Sequence, residues 1–299
     1  MAQLIHYTQC PVCGSTELSE ALHAKDYTVS GETFTITACA KCTLRFTQDV
    51  PDAATIGPYY KSENYISHTN TSKGLINRMY QAVRRRTLRS KYRLLVRTTG
   101  KEKGRLLDIG SGTGAFAGFM QAKGWTVTGL EPDADARTIA AGTNNITLQD
   151  LSGFYELPPH AYDAITLWHV LEHVHDLQAY VQQLRNLLAP GGKLFIAVPN
   201  YTSLDAKVYG AHWAAWDVPR HLYHFSPAAM KVLLEKNGLT IEAYKPMWYD
   251  SFYISLLSSQ YKSGKASLVG AFITGLRANL RAMRDVKKCS SVIYIASRK

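Results

Sequence analysis

The sequence predicts an α/β fold in which helices cover both faces of a mostly parallel sheet. A short apolar strand runs into the glycine-rich turn Asp108–Gly114, which a helix-like segment, Ala115–Ala122, follows directly. Strand-like and helix-like segments then alternate over Trp125–Pro199, the pattern of a doubly wound sheet. Two cysteine pairs precede these elements and indicate a small additional module at the N-terminal end.

The first predicted element is a metal-binding module, which we assign to residues 1–50. Its cysteines form two Cys-x-x-Cys pairs separated by 25 residues, namely Cys10, Cys13, Cys39 and Cys42. Each pair predicts a tight turn that presents two thiolates to one ion, and two such turns complete the tetrahedral site of structural zinc. The strand-like segment between them, Thr33–Ala38, favours a zinc ribbon. Four reduced thiols are the alternative.

Residues 51–100 predict a connection followed by a basic helix. Pro51–Thr71 is rich in Pro, Asn, Ser and Thr, and Leu75–Thr98 has apolar residues at helical spacing. Arg78–Arg105 contains eleven basic residues and one acidic residue. We expect a solvated helix that packs on the next domain. The alternative is an anion contact with a phosphate-bearing acceptor, an anionic membrane or RNA.

The glycine-rich turn predicts a site for a nucleoside-bearing cofactor. Glycines allow a sharp turn and a close approach of the ligand to the backbone, and the following helix offers free N–H donors. The spacing of Gly110, Gly112 and Ala115 also satisfies the loose dinucleotide pattern. Asp108, two residues before the first glycine, and the additional Gly114 favour S-adenosylmethionine (SAM) over NAD.

Several segments resemble one family in the right order. Asp108–Gly114 resembles motif I of class I SAM-dependent methyltransferases. Tyr162–Leu167 and the segment Trp168–Val174 are similar to the fourth strand and its continuation in ubiquinone-biosynthesis-type methyltransferases, and Pro190–Pro199 resembles the following turn and fifth strand. The resemblance covers Gly104–Tyr244. It implies a seven-stranded, mostly parallel Rossmann-like methyltransferase sheet within residues 101–299.

The resemblance also implies which residues bind the cofactor. Glu131 ends the predicted strand Trp125–Leu130 and would bind the ribose hydroxyls, while Asp150 follows a short predicted strand, Ile146–Leu148, and would lie near the adenine amine. The residues expected to bind SAM, or its product S-adenosylhomocysteine (SAH), are Asp108, Gly110, Ser111, Gly112, Gly114, Phe116, Glu131, Pro132, Asp150, Leu151, Trp168 and His169.

The loop Trp213–Ser226, after the fifth strand, predicts an acceptor site. Strand carboxyl ends in an open α/β sheet face the ligand crevice, so this loop should overhang the acceptor. Because the pKa of histidine lies near neutrality, His221 is the first candidate general base and His224 the second, with Asp217 as their orienting partner. The alternative is that both histidines only hold the loop in place by hydrogen bonds.

The last two predicted strands, Leu239–Tyr244 and Ser291–Ala296, flank an insertion at about residues 246–289. It contains an aromatic segment and a predicted amphipathic helix, Ala266–Ala282, with several basic residues. Core packing is the simplest role of its apolar residues. A lid, a dimer surface and a patch that contacts a lipid-like acceptor or an anionic membrane are the alternatives.

These elements predict a cytoplasmic SAM-dependent methyltransferase that modifies an oxygen or carbon of a small-molecule, carbohydrate or lipid-linked acceptor. Paired cysteines indicate a reducing compartment, and the sequence shows neither a secretory leader nor a membrane span. The arrangement of a cysteine module before such a domain resembles that of sugar C-methyltransferases. The segment Phe46–Tyr65 also resembles this family. An RNA methyltransferase and a non-catalytic SAM-binding protein are the alternatives, and the oligomeric state is left open.

Overall fold

The computed structural model describes residues 4–61 and 75–299, and only the backbone of residues 75–82. Part of the predicted connection, including Ser62–Tyr65, lies outside these residues, as do the side chains of the first turns of the basic helix. An N-terminal module, a central α/β domain and a helical insertion follow one another along the chain. Among the described helices, none is both long and apolar enough to cross a membrane.

The N-terminal module is built on antiparallel strands. They are β1 (Leu4–Ile5), β2 (Leu18–Lys25), β3 (Thr33–Cys39), β4 (Arg45–Thr47) and β5 (Val50–Pro51). Strands β1 and β5 pair with each other, and β2, β3 and β4 form a separate meander. The predicted strand Thr33–Ala38 is confirmed and extends by one residue to Cys39.

The basic segment forms one long helix, α1 (Leu75–Thr99), close to the predicted bounds. Leu95 is buried against Leu106 and Phe195 of the central domain. The side chains of Arg85 and Arg89 are exposed to solvent on the other side. The expected helix packed on the following domain is therefore confirmed for its described part.

The central domain alternates strands and helices up to its fourth strand. Its elements are β6 (Arg105–Ile109), α2 (Ala115–Ala122), β7 (Thr126–Leu130), α3 (Ala134–Asn144), β8 (Tyr162–Trp168), α4 (Leu177–Leu187) and β9 (Leu188–Pro199). The chain continues through α5 (Leu204–Tyr209), β10 (Tyr223–His224), α6 (Pro227–Lys236) and β11 (Leu239–Pro246). Helices α7 (Asp250–Ser263) and α8 (Leu268–Arg284) lie in the predicted insertion, and β12 (Ser291–Arg298) follows them.

The central sheet is mixed and has six strands in the order β11-β12-β9-β8-β6-β7. The four strands from β6 to β9 are parallel, whereas β12 runs antiparallel to β9 and to β11. From β6 the chain passes first to β7 on one side and later to β8 on the other. The strand order thus reverses at β6, and ligands bind at such a point in open α/β sheets.

The prediction of a short strand around Ile146–Leu148, the third of the seven expected strands, is wrong. Only an isolated bridge forms there, between Gln149 and Leu130 of β7. Gln149 donates its N–H to the carbonyl of Gly129 at 2.8 Å and accepts from the N–H of Glu131 at 2.9 Å. The next residue, Asp150, already begins a 3-10 turn by accepting from the N–H of Ser152. The turn therefore ends the pairing before a strand can extend.

Residues on β6 show how the sheet is covered on both faces. Leu106 packs with α1 and α2 through Leu95 and Met120. Leu107 belongs to a second cluster of buried residues, which includes residues of α4, of α6 and of the N-terminal module. Alternate residues of a strand point to opposite faces, so both faces of this strand are buried. Helices on both faces were predicted, and the structure confirms them.

The N-terminal meander is completed by a strand from the predicted acceptor loop. Strand β10 pairs antiparallel with β4, matching Tyr223 with Phe46 and His224 with Arg45. The sheet order is therefore β10-β4-β3-β2. The acceptor loop and the N-terminal module thus share one sheet.

Candidate active site

A cavity of about 400 Å³ opens at the carboxyl ends of β6 and β8. Five of the predicted cofactor residues line it, namely Asp108, Gly110, Ser111, Phe116 and Trp168. Other walls come from α1, including Lys91, and from the first residue of α7, Asp250. The cavity therefore lies at the predicted position, but distant elements complete it.

The glycine turn has the backbone that the sequence pattern requires. Gly110 has φ of +68°, and a Cβ atom there would lie 2.4 Å from Cγ2 of Val170. Gly114 has φ of +73° and begins α2, and its added Cβ would lie 2.8 Å from Cβ of Ala140. Side chains at either position would combine backbone strain with a clash. Only glycine therefore fits at these two positions of the turn, and Gly110 itself lines the cavity.

Asp108 is a buried carboxylate behind this turn. It accepts a hydrogen bond from Oγ1 of Thr166 at 2.6 Å. Burial raises the pKa of Asp108 to about 6, although the hydroxyl of Thr166 and the charge of Lys91 oppose the rise. The carboxylate is thus ionised near neutral pH and places negative charge at the base of the cavity.

Lys91 is a cavity residue that the sequence analysis did not single out. Its Nζ lies 4.0 Å from the ring centroid of Trp168 and 5.7 Å from that of Phe116. Burial lowers the pKa of Lys91 to about 8. A signal was present in the sequence, since Leu88 and Leu95 lie three and four residues away on the same side of α1.

Glu131 and Asp150 lie beside the glycine turn with their carboxylates partly engaged. Glu131 accepts from the N–H of Gly112 at 2.7 Å and from the N–H of Asp133 at 3.0 Å. Asp150 accepts from Nη1 of Arg137 at 2.9 Å. Each carboxylate keeps further lone pairs with which it can accept hydrogen bonds from a ligand.

His169 connects the cavity with the acceptor loop. Its Nε2 lies 3.0 Å from Oδ2 of Asp250, and its Nδ1 lies 3.3 Å from Oε1 of Glu172. Burial alone would lower the pKa of His169, but hydrogen bonds with the two carboxylates outweigh it and raise the pKa to about 10. The imidazole is therefore protonated at neutral pH and donates to both carboxylates.

Glu172, His173 and His221 form a compact cluster beyond His169, with ligand atoms within 4.8 Å of one another. The rings of His173 and His221 meet edge to face with centroids 4.6 Å apart. Oε2 of Glu172 is buried and has no hydrogen-bond partner among the described residues. Burial lowers the pKa of His173 to about 4, with the nearby His221 adding to the effect.

The three predicted catalytic residues lie near one another but make different contacts. His221 places Nδ1 2.9 Å from the carbonyl of Ala215, and its Nε2 lies 3.9 Å from Oδ2 of Asp217. His224 instead meets Oγ1 of Thr47 at 3.1 Å. Burial lowers the pKa of His224 well below its usual range. The carboxylate of Asp217 lies closer to Arg220, at 2.7 Å, than to His221.

The part of the chain that contains this site matches a known protein family. The family described as Methyltransferase domain (Methyltransf_23) matches residues 80–244, more than half of the chain. This chain belongs to the class I SAM-dependent methyltransferase family. The matched region contains the glycine turn, Lys91, Glu131, His169 and the acceptor loop.

Relatives of this chain include the ubiquinone biosynthesis O-methyltransferase of Xanthomonas euvesicatoria pv. vesicatoria. It is 30% identical over 159 residues, which cover 49% of this chain and 66% of the relative. The mitochondrial human ubiquinone biosynthesis O-methyltransferase is 28% identical over 164 residues, covering 50% of this chain and 44% of the relative. This chain thus aligns with less than two thirds of either relative.

Among solved structures, the magnesium protoporphyrin IX methyltransferase from Synechocystis PCC 6803, with bound SAH, shares the fold. The match has a TM-score of 0.50 and 14% identity, and it covers 81% of this chain and 91% of the other chain. The predicted methyltransferase fold is therefore confirmed, apart from the strand expected at Ile146–Leu148. The binding of SAM or SAH is likewise supported by the family.

The four N-terminal cysteines of the chain converge on one point. The Sγ atoms of Cys10 and Cys42 are 3.4 Å apart, those of Cys13 and Cys39 are 3.5 Å apart, and all four lie within 4.8 Å of one another. Four thiolates around zinc, with bonds of about 2.3 Å, have sulfurs separated by about 3.8 Å. The cluster therefore fits a tetrahedral ion in donor type, number and size.

Proposed function

We propose that this methyltransferase transfers the methyl group of SAM to an oxygen atom of a small-molecule acceptor. The observation that carries the proposal is the contact series Asp250–His169–Glu172, which joins the cofactor cavity to the cluster around His221. The relatives named as O-methyltransferases favour oxygen as the acceptor atom. Carbohydrate, lipid-linked and phosphate-bearing acceptors remain within this proposal. A carbon acceptor is the alternative, and the position of the new methyl group in the isolated product, determined by NMR, distinguishes the two.

The residues around the cavity suit SAM in the following way. Glu131, Pro132, Asp150 and Leu151 lie beyond the carboxyl end of β7 and would hold the nucleoside, with Glu131 accepting from the ribose hydroxyls. The ammonium of Lys91 provides a cation for the carboxylate of the methionine moiety. The faces of Trp168 and Phe116, together with α1, would exclude water. The bound sulfonium is itself the electrophile, so alignment of the acceptor is the main task of the protein.

His221 is the general base that the geometry supports best. A carbonyl oxygen only accepts, so Nδ1 of His221 donates to Ala215 and the neutral ring keeps its lone pair on Nε2. This nitrogen can remove the proton of an acceptor hydroxyl while Glu172 and Asp217 stabilise the resulting imidazolium. The ring of His224, which bonds Thr47, would position the loop instead. Arg220 would hold the carboxylate of Asp217 in place, 3.9 Å from Nε2 of His221.

We also propose that Cys10, Cys13, Cys39 and Cys42 bind one structural zinc ion. The four sulfurs leave no ligand position for substrate, so the metal would fix the turns that hold β3 and β4 rather than act in catalysis. Because β10 pairs with β4, this places the zinc module in support of the acceptor loop. We propose residues 1–50 as the zinc module, 51–100 as the linker with the basic helix, and 101–299 as the methyltransferase domain.

The first experiment is calorimetric titration of the protein with SAM, SAH and NAD. We expect micromolar binding of SAM and SAH, no binding of NAD, and loss of binding in Asp108→Asn and Glu131→Gln. The absence of SAM binding in the folded wild type would overturn the proposal, and binding of NAD alone would assign the cavity to dinucleotides.

The second experiment measures SAH formation with phenolic, carbohydrate and RNA substrate pools. His221→Asn should lower kcat by about a hundredfold, the range of general-base catalysis, and leave the Kd of SAM unchanged. His160→Asn, at a histidine outside the loop, is the matched control. Methylation of RNA alone would reject a small-molecule acceptor. A kcat of His221→Asn equal to that of the wild type would reject His221 as the general base.

A further inference from the structure

The outer face of α8 is apolar although it points away from the protein. Leu268, Val269 and Met283 are 73%, 72% and 72% exposed. The complete exposed set, which we name the α8 face, is Leu268, Val269, Phe272, Ile273, Leu276, Leu280 and Met283. At 3.6 residues per turn these positions form one continuous stripe. Contiguous apolar surface of this kind marks an interaction site, whereas single exposed apolar residues do not.

The side of α8 that packs on the protein carries small residues instead. Its buried positions are Ala271, Gly275, Ala278 and Ala282. A Cβ atom at Gly275 would lie 2.6 Å from Cδ1 of Phe252 in α7, so the two helices approach too closely for larger residues. A helix that served only the core would bury its large apolar side chains. The described residues therefore leave the α8 face uncovered and available to a partner.

Positive charge borders the α8 face. Exposed basic residues on and just after the helix are Arg277, Arg281, Arg284, Lys287 and Lys288. From Lys262 to Lys288 the chain has seven basic residues and one acidic residue, Asp285. An apolar stripe with a basic border is typical of helices that lie in the interface of an anionic bilayer. A second copy of this surface would bring like charges together, which disfavours self-association.

Two aromatic residues extend the surface at the start of α7. Trp248 and Tyr249 are 40% and 38% exposed. The carbonyl of Trp248 accepts from Nδ2 of Asn279 in α8 at 2.8 Å, which fixes this turn against the helix. Tryptophan and tyrosine favour the membrane–water boundary because one end is apolar and the other polar. The patch therefore combines an apolar centre, a basic border and interfacial aromatics.

We propose that the α8 face docks this protein on the surface of an anionic lipid bilayer. The apolar side chains would enter the boundary between head groups and acyl chains, and the arginines would contact lipid phosphates. Asp250, the first residue of α7, directly follows Trp248 and Tyr249. It lines the cofactor cavity and contacts His169. Docking would therefore bring the cavity close to the lipid surface. The proposal does not depend on methyl transfer, because lipid binding is measured by itself.

The test is sedimentation of the purified full-length protein with vesicles. The vesicles contain either phosphatidylcholine alone or phosphatidylcholine mixed with phosphatidylglycerol. We expect binding to the mixed vesicles that weakens as salt is raised. The triple variant Val269→Gln/Leu276→Gln/Met283→Gln, at the centre of the stripe, should lose binding. Replacing Arg277, Arg281 and Arg284 by Gln should weaken binding by about fivefold per charge.

Matched controls separate a specific surface from general effects. Replacing Lys103, Arg105 and Lys231 by Gln removes three positive charges elsewhere and should leave vesicle binding nearly unchanged. SAM binding and the near-ultraviolet circular dichroism spectrum report that each variant is folded. Absence of wild-type binding to mixed vesicles, or equal binding by the Val269/Leu276/Met283 variant, would overturn the proposal. A dimer that this variant dissociates, without vesicle binding, would reassign the face to self-association.

Discussion

Arg220 of the acceptor loop forms a buried ion pair with Asp26 of the N-terminal module. Nη2 of Arg220 lies 3.0 Å from Oδ1 of Asp26 and 2.7 Å from Oδ1 of Asp217, and both Arg220 and Asp26 are almost fully buried. Burial favours the neutral carboxyl, but the hydrogen bond from Arg220 outweighs it and lowers the pKa of Asp26. One guanidinium therefore joins the loop that carries His221 to a module close to 200 residues earlier.

Removal of this guanidinium should strongly destabilise the protein. Arg220→Met would leave the buried carboxylate of Asp26 and the partly buried carboxylate of Asp217 without their guanidinium, and we expect a loss of about 3–5 kcal/mol in the free energy of unfolding. The measurement is urea unfolding followed by circular dichroism. Lys231→Met is the matched control, because its exposed pair with Glu235, at 3.7 Å, should contribute less than about 1 kcal/mol. Equal losses of unfolding free energy in both variants would contradict a larger contribution from the buried ion pair.

Stability should fall on the alkaline side because of His169. Its pKa of about 10 lies above the unfolded value of about 6.5, so the folded protein binds the proton more tightly. This contribution is complete below pH 6.5 and is lost as pH rises through about 10. Between pH 6.5 and 10, the free energy of unfolding should fall less steeply with pH in His169→Asn than in the wild type. An unchanged slope in the variant would contradict a protonated His169.

Lys91 should control the affinity for SAM. Lys91→Met removes the cation in the cavity, and we expect the Kd of SAM to rise about tenfold to a hundredfold, as for loss of a charged hydrogen bond. Because its pKa is about 8, wild-type affinity should decline above pH 8, whereas Lys91→Arg should retain affinity there. Calorimetry at several pH values measures both effects. Arg89→Met, at an exposed position of the same helix, should bind SAM normally; a similar loss in that control would point to a general effect of α1.

Metal removal should affect the acceptor loop as well as the cysteine cluster. Cys42→Ser is expected to lower the zinc content from one ion per chain to nearly none and to reduce the thermal midpoint, because β4 loses its anchor and β10 pairs with β4. Elemental analysis and thermal unfolding measure these changes. Cys289→Ala lies outside the cluster and should keep one zinc ion. Full zinc content in Cys42→Ser would exclude the four-cysteine site.

The parts of the fold that depend on local pattern were predictable. The helix Ala115–Ala122 has the predicted bounds, because a glycine turn and an apolar stripe define its start and its buried side. Ile146–Leu148 misled the prediction since its apolar pattern is that of a strand, although the turn at Asp150 leaves only one bridge. Local pattern cannot reveal how far a pairing extends.

Contacts between distant segments account for what the sequence did not reveal. Lys91 and Asp250 reach the cavity from α1 and α7, which flank the recognised motifs on either side. Strand β10 has two residues, and its partner β4 is about 180 positions earlier, so no periodicity indicates it. The histidines of the loop were recognisable by type, but their hydrogen-bond partners Ala215 and Thr47 depend on the folded backbone.

The strand pairing of His224 with Arg45 has a consequence for how the protein is made. A ribosome synthesises the four cysteines and strands β2–β4 well before β10 and Arg220 exist. During that interval β4 has an open edge, and Asp26 has no guanidinium to neutralise it. The start of the chain therefore cannot reach its final structure during early synthesis, and its completion must wait until the emerging polypeptide has passed the acceptor loop.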